Sequence, residues 1–109
     1  MQGQSLTQLG EEQLAEAREA GSGRASVTVF GGQQHDLRQT LIALVEGRAL
    51  GEHDAPGEAS LQVLRGRVRL RTGEDTWSGG EGDYLILPRN REELLAETDA
   101  VVLLTVATG

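Results

Sequence analysis

The side chains able to do chemistry are few. There are two histidines, ten arginines and seventeen carboxylates, one tyrosine, and neither cysteine nor lysine. Without thiols, disulfides and thiolate-metal sites are excluded. His53 and Asp54 precede Ser60 and invite reading as a nucleophilic set. Yet no nucleophile-elbow pattern surrounds Ser60, and neighbours along a strand point apart, so the set does not assemble. Gly79, Gly80 and Gly82 surround Glu81, but the stretch lacks the lysine of a phosphate-binding loop and reads as a turn. Asp83 follows Gly82, where a carboxylate can bond backbone N–H groups. His35 sits between Gly31 and Asp36 and reads as an exposed loop residue. Arg65, Arg67, Arg69 and Arg71 alternate, so on a strand they form one ladder. That ladder is either a solvated face or a stripe for anions or an acidic partner.

Composition narrows the function further. The formal charge is −7 over 109 residues. Nucleic-acid binding relies on neutralising phosphates with basic side chains, so it is not expected. Phe30, Trp77 and Tyr84 are the only aromatics, which leaves no base-stacking platform. No apolar run approaches the roughly 18 residues of a membrane span. The first residues lack the basic and apolar regions of a signal peptide, so a cytoplasmic protein is expected. The length suits one domain, large enough to bury a modest core.

These groups must be positioned by short elements. Residues 5–20 read as a helix, with Ser5 or Thr7 as cap, Glu11 and Glu12 near the start, and Leu6, Leu9, Leu14 and Ala17 on one face. It is expected to pack outside the domain or on a partner subunit. Gly21 and Gly23 stop it. Residues 25–30 are rich in β-formers. Residues 37–45 fit a helix through Leu37, Leu41, Leu44 and Val45, and a strand through Leu37, Leu41, Ala43 and Val45. The flanking glycines and β-rich neighbours favour strand. Strands are expected at 61–64, 68–71, 84–87 and 100–106, with turns at Gly66 and at 72–75. Short strands punctuated by glycine turns suggest a sandwich or barrel.

The stretch EHDAPGEASLQVLRGRVRL followed by GEGDYLILP resembles the paired motifs of small single-domain cupins. Gly66 matches the glycine that closes the first motif, and Gly82 and Pro88 match the opening of the second. The resemblance covers residues 37–107. It implies a mainly β fold, a single jelly-roll (double-stranded β-helix) barrel over 25–109 preceded by a helical segment over 1–24. Gly66 and Gly82 fall where strands turn sharply and positive φ is needed. Asn90 stands at a family glycine and tolerates the left-handed conformation.

Metal-binding cupins hold a divalent ion with three histidines and a glutamate. Here His53 matches the first histidine, but Ala55 replaces the second. The glutamate position falls at Ala59, beside Glu58. The last histidine falls at Glu92 or Glu93, and alternation with Leu94 favours Glu92 as the inward one. A metal would have to use His53, Glu58 and Glu92, so none is expected as a cofactor and no residue is assigned to catalysis.

The leading expectation is therefore a non-catalytic barrel that binds an unknown small molecule or a partner, with His53, Gln62, Tyr84 and Glu92 as candidate pocket residues. Parity with Leu64 leaves open which way Gln62 faces. One alternative is a metal-dependent dioxygenase or isomerase with a changed ligand set. Another is a sensor acting by protein contact through the arginine ladder. The resemblance also implies a homodimer.

Overall fold

The structure is a computed structural model that describes residues 1–53, 57–89 and 91–107, leaving out the side chains of Glu52 and His53. Asp54, Ala55 and Asn90 lie outside the described residues. Helix α1 (Leu6–Glu19) is followed by nine strands: β1 (Arg24–Phe30), β2 (Leu37–Leu44), β3 (Ala49–His53), β4 (Glu58–Arg65), β5 (Arg67–Thr72), β6 (Asp75–Gly80), β7 (Tyr84–Ile86), β8 (Glu92–Ala96) and β9 (Ala100–Ala107). They form a five-stranded sheet, β1-β2-β9-β4-β7, and a four-stranded sheet, β3-β8-β5-β6. The paired strands are all antiparallel.

Alternation drives the two sheets together. On β4, Ala59, Leu61 and Val63 are buried while Glu58, Gln62 and Arg65 are exposed. On β5, Val68 and Leu70 point inward between outward arginines. These apolar rows join Ile42, Leu44, Leu94, Val102 and others in a core between the sheets. A half-buried sheet has this period-two signature.

β2 and β9 break that signature because both their faces are covered. Ile42 and Leu44 enter the inter-sheet core. Leu41 and Ala43 instead join Val101, Leu103, Leu14 and Ala17 in a second core beneath α1. Nearly continuous apolar sequence is what a strand buried on both sides requires. The double reading of residues 37–45 has the same origin, and the strand face containing Leu41, Ala43 and Val45 is the one turned to the helix.

α1 lies on the outer face of the five-stranded sheet. Ser5 caps it, its hydroxyl accepting from the Gln8 N–H at 3.1 Å. Glu11 and Glu12 fall beyond the first turn, which carries no acidic residue. At the other end Arg18 suits the helix dipole and binds Asp99. Asp99 is the clamp between elements. Its Oδ2 is 2.9 Å from an Arg18 guanidinium nitrogen, and its Oδ1 accepts from the Glu46 backbone N–H at 2.8 Å.

Glycines sit where geometry demands them. Gly66 turns from β4 into β5 with φ 77°, and a Cβ there would strike the Asp99 carbonyl. Gly82 has φ 91°, and the Asp83 carboxylate accepts from the Gly80 N–H at 2.8 Å. β6 falls partly where the sequence suggested a glycine turn. Gly79 is buried under the Trp77 ring, which leaves no room for a Cβ. No helix among the described residues is long and apolar enough to cross a membrane.

The clamp sets an acid limit on stability. The Glu46 N–H, and then Arg18, hold the Asp99 carboxyl below its ordinary value of 3.8. A depressed carboxyl contributes fully above the unfolded value and loses that contribution as pH falls through the folded one. Asp99→Asn is expected to cost about 1–2 kcal/mol at neutral pH. In acid titrations followed by circular dichroism, the gap between variant and wild type should close below the ordinary aspartate range. A gap that stays constant down to the acid transition would contradict the clamp.

Candidate functional site

Among the described side chains, the inward face of the barrel carries one acidic group. Glu92 opens β8 and is 4% exposed, although carboxylates are seldom buried. It borders a cavity lined otherwise by Ile42, Leu50, Leu61, Leu70, Leu87, Leu94 and Leu104. That cavity has a volume of only about 20 Å³. Small-molecule pockets run to roughly 300–1,000 Å³. Among the described residues, these leucines and Ile42 pack the inner face at that end of the barrel.

The β3–β8 register sets His53 opposite Glu92. This brings two of the sequence-predicted residues to one end of the barrel as cross-strand neighbours. The other candidates go elsewhere. Glu58 shares β4 with inward Ala59, so alternation sends it outward, where its side chain is 83% exposed and 3.9 Å from Arg89. Gln62 also projects outward, because Leu61 and Val63 take the inner positions. Its cross-strand partner is Tyr84, which is 61% exposed. Gln62 and Tyr84 therefore line the outside of the five-stranded sheet, not the barrel pocket the sequence suggested. Ser60 lies on that outer face too, in a shallow cleft with Leu37 and Tyr84.

Glu93 faces away from Glu92 and pairs with Arg71 at 3.2 Å. Arg69 pairs with Glu97 at 3.4 Å. The arginine ladder is thus paired with Glu93 of β8 and with Glu97 just beyond it across the outer face of the four-stranded sheet. Arg65 is separated from it, since Gly66 carries the chain from one sheet to the other. His35 is exposed and lies against Phe30, with ring centroids 4.8 Å apart.

A metal centre needs converging donors. Among the described residues no group of three or more histidine, aspartate and glutamate side chains is placed to hold an ion. With Glu58 and Glu93 turned outward, the described donor set inside the barrel is a single carboxylate. It does not fit a three-histidine, one-glutamate centre or the three-residue substitute proposed from the sequence.

A larger hollow than the cavity beside Glu92 lies outside the barrel. A groove of about 410 Å³ runs between α1 and β4, with Leu6, Gly10, Leu64 and Val101 along it and Glu11, Arg65 and Glu81 among its polar residues. The sequence held one sign of it. Gly10 interrupts a helix on its buried face, where a Cβ would come within 3.2 Å of Val101.

No protein-family model matches the chain, and no curated protein matches it. Solved structures do. A conserved protein of unknown function from Streptococcus pyogenes superposes with a TM-score of 0.77, at 25% identity, over 99% of this chain and 88% of that one. A cupin superfamily protein from Desulfitobacterium hafniense gives 0.72 at 13% identity, over 79% and 78% of the two chains. An RmlC-like cupin from Desulfovibrio desulfuricans gives 0.68 at 22% identity, over 78% and 82%. The chain has the fold of a small single-domain cupin. Within that cupin fold, the described residues of the inner face form an apolar core with one carboxylate, Glu92, at its end.

A packed core and an open pocket respond differently to truncation. Leu70→Ala should cost about 2–4 kcal/mol in urea unfolding, because it empties a filled site. A loss below about 1 kcal/mol would mark the interior as loosely filled space.

Proposed function

We propose that this cupin-fold chain is a non-catalytic binding or accessory protein that works from its outer surface. The observation that carries the reading is the leucine-filled interior, which leaves about 20 Å³ beside Glu92. The groove between α1 and β4 is about 410 Å³, within the range of ligand pockets. Its apolar residues and mixed charges suit a small amphipathic molecule or a side chain of a partner. The ion-paired arginine ladder is a weaker candidate surface, since Arg69 and Arg71 already have acidic partners.

One observation favours a second reading, a metal-dependent enzyme with a changed ligand set. The register keeps His53 and Glu92 as neighbours at the barrel end. Such an enzyme would need a third donor that the described side chains do not supply.

Metal content separates the two. Protein purified without a tag or chelator should carry no stoichiometric iron, nickel, zinc or manganese by mass spectrometry. Its melting temperature should not respond to adding those ions. One ion per chain that disappears in both His53→Ala and Glu92→Gln would overturn the binding-protein reading.

A further inference from the structure

β4 does not keep its alternation to the end. Val63 stands opposite Val102 on β9, but Arg65 stands opposite Val101, so two steps along β4 span one along β9. Leu64 is the extra residue of a β-bulge. Regular alternation would give Arg65 the parity of Leu61 and Val63, which face the core between the sheets. The bulge turns it over. Residues directly opposite in an antiparallel pair project from the same face, and Val101 belongs to the core beneath α1. Arg65 therefore joins Leu64 on the outer face, and both line the groove beside α1. Bulges commonly re-aim a side chain next to a functional site.

Three charged side chains meet this groove from three elements. Arg65 comes from the end of β4. Glu11 comes from α1, which packs over β1, β2 and β9 on one side of it. Glu81 comes from the turn between β6 and β7 on the other side, held to β4 by the Gly82 N–H donating to the Val63 carbonyl at 2.8 Å. All three are exposed, and none forms an ion pair among the described residues. Leu6, Leu64 and Val101 supply apolar surface between them, and Gly10 adds no side chain to fill the space. Opposite charges thus share a hollow of about 410 Å³ without pairing to one another.

We propose that the groove between α1 and β4 binds a small aliphatic zwitterion, of the size of a free amino acid or a dipeptide. Its carboxylate meets Arg65, its ammonium meets Glu11 and Glu81, and its aliphatic side chain covers Leu6, Leu64 and Val101. The proposal rests on the reading of the chain as a binding protein that works from its outer surface, and it names the chemistry its groove selects. A guanidinium takes a carboxylate through two parallel hydrogen bonds. An ammonium has three donors and no acceptor, which suits a pair of carboxylates. A plain cation would leave Arg65 beside a like charge, and a plain anion would meet two carboxylates. Because these side chains are hydrated, each contact is weak, and a Kd of about 1 mM or below is expected.

A nitrogen–proton NMR titration of the whole chain with L-leucine and with L-leucyl-L-leucine tests this. At least one of them should shift the amides of Gly10, Leu64 and Val101 saturably. N-acetyl-leucine, which lacks the ammonium, and 3-methylbutylamine, which lacks the carboxylate, should each bind about tenfold more weakly or worse. Glycine, without the aliphatic part, should also bind more weakly. Arg65→Gln and Glu81→Gln should each cost about tenfold in affinity, whereas Glu74→Gln, in the turn between β5 and β6, should leave it unchanged. Circular dichroism melts of these variants should match wild type, since the replaced side chains are exposed and unpaired. No saturable shift with either zwitterion would overturn the inference and leave the outer-surface reading standing. Saturable shifts at Leu61, Leu70 and Leu94 instead of the groove would overturn both. Binding that is indifferent to Arg65→Gln, or that 3-methylbutylamine matches, would overturn the assignment of a zwitterion.

Discussion

The structure depends on the burial of β2 and β9 on both faces. Their register sets Ile42 beside Val102 and Leu41 beside Leu103, so one ladder supplies apolar rows to two cores. The inner row meets the four-stranded sheet. The outer row meets α1. A single central pair of strands thus fastens the helix and both sheets. Asp99, in the connection between β8 and β9, ties the end of α1 to the segment after β2 through Arg18 and the Glu46 N–H.

This arrangement separates the molecule into surfaces with different duties. The interior is nearly all leucine, isoleucine, valine and alanine, with Glu92 at the edge of its small remaining cavity. Burying that much apolar surface is what gives a domain of this size its stability. Among the described residues it leaves little open space on the inner face. The face of the four-stranded sheet is wet and interlaced with ion pairs, each exposed enough to contribute little energy. What remains is the outer face of the five-stranded sheet beyond α1, with its groove and its apolar edge. Fold alone assigns no activity, so the functional reading rests on where open space and uncovered apolar surface actually occur.

Much of this was legible in the sequence, for identifiable reasons. The alternation of β5, with Val68 and Leu70 between arginines, is a local signal that tertiary structure does not override. Gly66 and Gly82 announced their turns because positive φ is costly for other residues. Asp83 bonding a backbone N–H is likewise a local turn interaction. β3, β6 and β8 were not foreseen. β6 contains Gly79 because Trp77 needs its space, a contact invisible to a propensity pattern. β8 begins with two glutamates; its extent was not evident, but the alternation of Glu92 with Leu94 did mark Glu92 as the inward one, and it is buried while Glu93 meets Arg71. The outward placement of Gln62 and Tyr84 was obscured because β4 has apolar residues at both parities: Leu61 faces the barrel core and Leu64 the helix side. Sequence alternation alone could not say which apolar row belonged inside.

The central claim is that the barrel interior is a stability core, and the proposed reading of the outer surface rests on it. Native-state hydrogen exchange by nuclear magnetic resonance tests this most directly. Amides of Leu61, Val63, Leu70 and Leu94, which line the interior, should exchange only through global unfolding, with the same free energy as those of Ile42 and Val102 in the central strands. Interior amides of β4, β5 and β8 that open far more readily than those of β2 and β9 would contradict the claim, because they would mark a malleable chamber rather than a packed core.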